Sequence, residues 1–347
     1  MGRAAQARRV AAAAAYGGGG LGLAGMAAYG LLIGQAKLAR RAIPRAQVAP
    51  PACDGLYGTD QDGLPVTLGV VGDSSAAGYG VHLARQTPGA LLAAGLAEVL
   101  GRPVRLVCRA VVGARSAGLD AQVDALLPEH PDVTMIMVGS NDVTHRVRAQ
   151  DAVRQLDQVV RRLRAGGSEV VVGTCPDLGT IRPIQPPLRW VARRASRTLA
   201  AAQTIAVVEA GGRSVSLGDL LGPEFMASPA EMFSADRFHP SAEGYSAAAA
   251  ALLPSVAAAL GAWNPAEDAP SRARGEGVLP LAQAAVEAAD AAGTEVSAAA
   301  LAGRDRGTLG RWAQLRHRIR LFTVAPAGPG VPLAGPAVPL AGPAGRP

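Results

Sequence analysis

One serine, one histidine and one aspartate stand where they could form a nucleophilic site. Ser74 directly follows an apolar run of strand length, and residues 236–239 (Asp-Arg-Phe-His) precede the last helical segment. A serine hydroxyl is a weak nucleophile until a base takes its proton, and His239 is the natural base. Asp236 lies three residues before His239 and could hold the imidazole in the right tautomer and stabilise the imidazolium. This arrangement predicts acyl transfer.

Acyl transfer also needs preplaced donors for the oxyanion of the tetrahedral intermediate. The backbone N–H groups of Ser74 and Gly113 and the side-chain amide of Asn141 could supply three such donors. Each of these residues follows a predicted strand, and in an open parallel sheet ligands bind beyond the carboxyl ends of the strands. Glycine suits position 113 because it lets the backbone come close to a substrate oxygen.

Alternating apolar strands and amphipathic helices must carry these residues. The predicted strands are Val66–Val71, Val104–Ala110, Val133–Val138, Val170–Gly173 and Thr204–Val208. The predicted helices are Pro88–Leu100, Ser116–Leu127, Asp151–Arg164, Leu188–Gln203 and Ser241–Leu260. Strands that alternate with helices over some 200 residues predict a parallel sheet in a three-layer α/β/α sandwich.

The order of these blocks resembles that of the SGNH/GDSL hydrolase superfamily. The Ser, Gly, Asn and His of the family signature are matched by Ser74, Gly113, Asn141 and His239. The resemblance covers about residues 66–260, and Ser75 departs from it where the GDSL name has Leu. It implies a flavodoxin-like five-stranded sheet of order 2-1-3-4-5, serine esterase or lipase chemistry, and no metal or organic cofactor.

Taken singly, each block has a plainer interpretation. A Gly-Asp-Ser turn after a strand is commonplace, and the blocks around Asn141 and Asp236 could be helix caps. Only the ordered set favours catalysis. Beside it, Asp73, His145 and Asp177 could line the pocket, with Asp73 more suited to holding its own loop by hydrogen bonds.

Three functions remain open at this point. The first is a serine esterase or lipase that acts on small esters or lipids. The second keeps the fold but removes acetyl groups from cell-wall glycans. The third is a membrane-anchored binding protein whose site is intact in sequence but idle.

The N-terminal segment predicts a membrane anchor. Val10–Ala36 is an uncharged run of 27 residues with basic residues on both sides, long enough to span a bilayer. A cleaved signal peptide and a Gly/Ala-rich leader are the alternatives. The basic residues on either side of this segment do not determine which side of the membrane the following domain lies on. We expect this domain to be extracytoplasmic.

The whole chain divides by composition into five segments. Residues 1–45 form the predicted anchor, 46–65 a Pro/Gly-punctuated linker and 66–262 the catalytic domain. Residues 263–324 are expected to form a helical extension, and 325–347 to be a disordered Pro/Gly/Ala tail.

The net charge of +7 is confined to the N-terminal segment. Seven of the 34 Lys and Arg residues and none of the 27 Asp and Glu residues lie in residues 1–53, so residues 54–347 carry no net charge. Only 3% of the chain is aromatic. Both observations argue against nucleic-acid binding, which uses basic patches and exposed aromatic rings. They favour contact with an anionic lipid surface near the anchor. The oligomeric state is left open.

Cysteine use excludes a dense disulfide framework. The three cysteines, Cys53, Cys108 and Cys175, are far apart and form no C-x-x-C motif, which gives a zinc site no support. One disulfide is compatible with this number, but the sequence does not say which two residues would form it.

Overall fold

A computed structural model of the protein describes residues 26–43 and 48–262. The strands are β1 Gly55–Tyr57, β2 Val66–Gly72, β3 Val104–Cys108, β4 Val133–Met137, β5 Glu169–Gly173 and β6 Arg213–Val215. The helices are α1 (residues 26–42), α2 Pro88–Leu100, α3 Leu119–Leu126, α4 Ser140–Thr144, α5 Ala149–Ala165, α6 Leu188–Glu209, α7 Leu217–Ala227, α8 Pro229–Met232 and α9 Ala242–Ala259.

The strands form one sheet of order β1-β3-β2-β4-β5-β6. The strands from β2 to β6 are parallel, and their order is the expected 2-1-3-4-5. Core residues of α2, α7 and α9 pack on one face, and those of α3, α5 and α6 pack on the other. Both faces of β2 and β4 are therefore buried, as their almost unbroken apolar sequences predict. The three-layer α/β/α architecture is confirmed.

A sixth strand extends the predicted sheet. β1 lies within the predicted linker 46–65 and pairs antiparallel with β3. It is only three residues long, begins with Gly55 and is followed by Gly58. Its sequence therefore carries no alternating pattern that would distinguish it from a loop.

The fifth predicted strand was placed wrongly. Thr204–Val208 belongs to α6, and the fifth parallel strand is β6 instead. The β-branched residues of this segment suggested a strand. However, Val207 is fully buried while Ile205 is 60% exposed, which continues the apolar stripe of the preceding helix. No glycine interrupts that helix before Gly211, so it runs on.

Two buried glutamines bind the backbone at the carboxyl ends of the strands. Gln122 of α3 accepts a hydrogen bond from Gly72 N at 2.7 Å and donates one to Gly72 O at 3.0 Å. Gln203 of α6 accepts from Cys175 N at 2.8 Å and donates to Val138 O at 2.9 Å. Buried peptide groups need such partners where strands diverge into loops. The two side chains thereby fix the edge of the sheet that holds the site.

The helix α1 packs against the α/β domain. The side chain of Gln35 donates to Pro186 O at 2.6 Å and accepts from Leu188 N at 3.1 Å. Ala39 is buried in the core cluster that includes α2 and α9. Residues 35–39 of this helix therefore contact the folded domain.

Part of the predicted membrane anchor can be compared with the structure. Residues 10–25 of that segment lie outside the described residues, as do the predicted extension 263–324 and tail 325–347. Across residues 26–43 and 48–262, no helix has both the length and the apolar character needed to cross a bilayer.

Candidate active site

The loop after β2 presents Ser74. Gly72 ends this strand with φ +143°, and a Cβ at this position would lie 2.0 Å from Met137 O of β4. Only glycine therefore permits this approach of the two strands. Asp73 N donates to the same carbonyl oxygen at 2.9 Å, so the chain reaches Ser74 in a fixed direction.

Ser74, His239 and Asp236 form a continuous hydrogen-bonded chain. His239 Nε2 lies 2.9 Å from Ser74 Oγ, and His239 Nδ1 lies 2.6 Å from Asp236 Oδ2. An ionised carboxylate can only accept, so Nδ1 carries the ring proton. The neutral ring then offers Nε2 as the acceptor for the Ser74 hydroxyl.

Hydrogen bonds hold Asp236 as a carboxylate. Its Oδ1 accepts from Ser234 Oγ at 2.8 Å, from Phe238 N at 2.8 Å and from His239 N at 2.9 Å. Burial opposes its ionisation, but the hydrogen bonds from the His239 ring and from these two backbone N–H groups outweigh burial. Together they lower the pKa of Asp236 to about 2. Asp236 is therefore ionised throughout the neutral range.

Two aromatic side chains pack against the imidazole of His239. Tyr79 meets it edge-on with ring centroids 4.5 Å apart, and Phe238 does so at 4.9 Å. The buried Tyr245 of α9 donates its hydroxyl to Tyr79 O at 2.7 Å. These contacts restrict the rotation of the imidazole, and none of them was predicted from the sequence.

The loop after β3 is tied to the start of α4. Asn141 Nδ2 donates to Ala114 O at 3.0 Å, which uses one of its two N–H donors. The buried carboxylate of Asp142 accepts from Ser116 N at 3.1 Å and from Ser116 Oγ at 3.0 Å. Gly113 is exposed on this loop with φ +81°. These bonds bring the segments that carry Gly113 and Asn141 together.

A largely apolar cavity adjoins the serine. Its empty space, open mouth included, is about 770 Å³. Asp73 and Ser75, which flank Ser74 in the chain, line this cavity, whereas Ser74 and His239 are not part of its wall. It lies between the carboxyl ends of β4 and β5 and the helices α7 and α9. Its apolar walls include Met137, Leu178, Ile181, Leu217, Leu221 and Phe225.

Two of the three predicted lining residues lie at this cavity. Asp73 and Asp177 line it, whereas His145 does not belong to its wall. His145 is instead exposed, and its Nδ1 lies 2.9 Å from Asn141 O. Asp73 accepts a hydrogen bond from Ser75 N at 2.8 Å, which holds its own loop. Burial raises the pKa of Asp73 to about 6.

Comparisons with known proteins identify the family of this chain. The family model described as GDSL-like Lipase/Acylhydrolase matches residues 70–247. The chain is also 46% identical over 252 residues to the GDSL-like esterase Rv1075c of Mycobacterium tuberculosis, covering 69% of this chain and 80% of the relative. This chain belongs to the GDSL-like lipase/acylhydrolase family. It is therefore an enzyme that hydrolyses esters.

Part of this chain is also similar to solved structures. The crystal structure of TesA matches with 27% identity and a TM-score of 0.44, covering 56% of this chain and 97% of that one. A lipase/acylhydrolase from Enterococcus faecalis matches with 20% identity and a TM-score of 0.41, covering 53% of this chain and 92% of its own.

The low pKa of Asp236 predicts a contribution to stability that depends on pH. Its pKa is about 2 in the folded protein against a usual 3.8, so ionised Asp236 stabilises the fold above about pH 4. This stabilisation is lost as the pH falls through 2. We expect Asp236→Asn to lower the free energy of unfolding by roughly 2 kcal/mol at pH 7. The deficit should shrink between pH 4 and pH 2, as measured by urea titration.

Asp60→Asn, at an exposed position, is the matched control and should change little at any pH. An Asp236→Asn deficit that keeps the same size from pH 5 to pH 2 would show that the carboxylate is not stabilised by these bonds.

Proposed function

We propose that the enzyme cleaves carboxylic esters through an acyl-enzyme formed on Ser74. The proposal is carried by the 2.9 Å and 2.6 Å contacts that connect Ser74 through His239 to Asp236. His239 Nε2 takes the hydroxyl proton as Ser74 Oγ attacks the ester carbonyl, and Asp236 stabilises the imidazolium. The imidazolium then protonates the leaving alkoxide.

Deacylation uses the same groups with water in place of the serine. His239 takes a proton from water, the hydroxide attacks the acyl carbonyl, and Ser74 regains its proton when the carboxylic acid leaves. Both tetrahedral intermediates carry an oxyanion. The backbone N–H groups of Ser74 and Gly113 and the Asn141 amide are the donors that we assign to it. The Asn141–Ala114 bond supports this assignment because it holds the Gly113 loop beside the amide.

The adjoining cavity favours an aliphatic acyl group as the substrate. Its walls include eight Leu, Ile, Met and Phe side chains, which stabilise a hydrocarbon chain by removing it from water. A sugar in the same space would lose the water bonded to its hydroxyl groups without gaining enough partners. The carboxylate of Asp177 faces this space but lies 3.3 Å from Arg193 and 3.9 Å from Arg197. We therefore favour alkanoyl esters over acetylated glycans.

Removal of the serine hydroxyl tests the nucleophile. Ser74→Ala should lower kcat/KM for p-nitrophenyl butyrate on the order of 10³-fold or more, because the covalent pathway is lost. Ser228→Ala, at the half-buried junction of α7 and α8, is the matched control and should keep wild-type turnover. A folded Ser74→Ala variant that retains more than a tenth of the wild-type activity would contradict the proposed mechanism.

Narrowing the cavity tests the substrate class. Leu221→Trp places a larger side chain in its wall, so the ratio of kcat/KM for the octanoate ester to that for the acetate ester should fall at least about 10-fold. Leu64→Trp, at a position 80% exposed, is the control and should leave this ratio unchanged.

Two results would contradict an acyl-binding role for the cavity. One is an unchanged ratio in a Leu221→Trp variant whose circular dichroism matches that of the wild type. The other is a wild-type enzyme that hydrolyses acetylated oligosaccharides far faster than any alkanoyl ester.

A further inference from the structure

Two of the three cysteines face each other across neighbouring strands. β1 and β3 run antiparallel, with Gly55 opposite Leu106 and Tyr57 opposite Val104. Continuing this register by two residues places Cys53 opposite Cys108. Directly opposed residues in an antiparallel pair point to the same face of the sheet. Both cysteines accordingly belong to the core cluster on the α2 side, Cys53 within it and Cys108 packed against it.

Side-chain contacts hold the two backbones together at this point. Asp54 accepts from Cys108 N at 2.8 Å through Oδ1 and from Arg109 Nη1 at 2.8 Å through Oδ2. The hydroxyl of Tyr57 donates to Cys53 O at 2.8 Å. The register therefore extends beyond the last backbone pair of β1, and the position of Cys53 opposite Cys108 is fixed.

The third cysteine lies too far away to compete. Cys175 follows β5, which is three strands from β3 in the sheet. At about 4.8 Å per strand this separation is about 14 Å. Disulfides require Cα atoms within about 7 Å of each other. Of the three pairings that the sequence leaves open, only Cys53 with Cys108 fits.

The two thiols differ in reactivity. A hydrogen bond from the Cys53 thiol lowers the pKa of Cys108, and the same contact, with burial, raises the pKa of Cys53. Cys53 is 4% exposed, whereas Cys108 is half-buried. Cys108 is thus the thiol that ionises first and that an oxidant can reach.

We propose that Cys53 and Cys108 form a structural disulfide that joins the segment before β1 to β3. The oxidant is a small or protein disulfide, such as glutathione disulfide. The Cys108 thiolate attacks one sulfur of this disulfide and releases its other half as a thiolate. The Cys53 thiolate then displaces the second half from the mixed disulfide. The two cysteines lose two protons and two electrons, and the oxidant is reduced to two thiols.

This bond would stabilise the edge of the sheet next to the candidate active site. It would close a loop of about 55 residues and so reduce the entropy of the unfolded chain. β3 leads directly into the loop that carries Gly113, so the bond would anchor the base of that loop. No sulfur takes part in the ester chemistry proposed above, so the disulfide is tested independently of it.

Thiol mapping of the full chain tests the pair. The protein is incubated with oxidised and reduced glutathione, unfolded, alkylated with iodoacetamide and digested. We expect a single alkylated cysteine, Cys175, and a peptide pair joined through Cys53 and Cys108. The oxidised protein should also have a Tm roughly 5–15 °C above that of dithiothreitol-treated protein. Cys108→Ser should abolish this difference, and Cys175→Ala should retain it.

Three results would overturn the proposal. All three are measured on the wild-type protein, so none of them requires a variant to fold. They are alkylation of all three cysteines after oxidation, a disulfide that includes Cys175, and a glutathione adduct that persists on Cys108.

Discussion

The hydrogen bond between Ser74 Oγ and His239 Nε2 joins residues 165 positions apart in the chain. A serine is activated only when its base lies within hydrogen-bonding distance, so the rest of the fold must keep these two loops in register. The crowding at Gly72 fixes the loop that carries the serine. The four hydrogen bonds to Asp236 and the packing of Tyr79 fix the loop that carries the histidine.

Buried polar side chains hold the loops of the site in place at the carboxyl edge of the sheet. Here the strands end, and their last peptide groups lose their neighbours in the ladder. Gln122 and Gln203 replace those partners at Gly72, Val138 and Cys175, and Asp142 binds Ser116 N in the segment that follows Gly113. An unsatisfied buried peptide group costs about 1–3 kcal/mol, so these bonds resist displacement of the loops.

The sequence predicts four of the six strands, because their apolar runs end in glycine and polar residues. It also singles out Ser74, Asp236 and His239, which the structure brings within hydrogen-bonding distance. It fails where local pattern and tertiary context disagree: β-branched Thr204–Val208 extends a helix, and β1 is too short to show a pattern. Gln122 was detectable, since it interrupts the apolar stripe formed by Leu119, Val123 and Leu126. Tyr79 was not, because its contact with His239 arises only through space.

Family membership establishes ester hydrolysis, and our proposal assigns its central step to Ser74. Labelling with a fluorophosphonate tests that assignment most directly, because an activated serine oxygen displaces fluoride from phosphorus and keeps the phosphonyl group. Peptide mapping of the labelled full chain should find one adduct per molecule, on Ser74, with labelling slowed in Asp236→Asn. A wild-type protein that takes no label, or that takes it on another residue, would contradict the account.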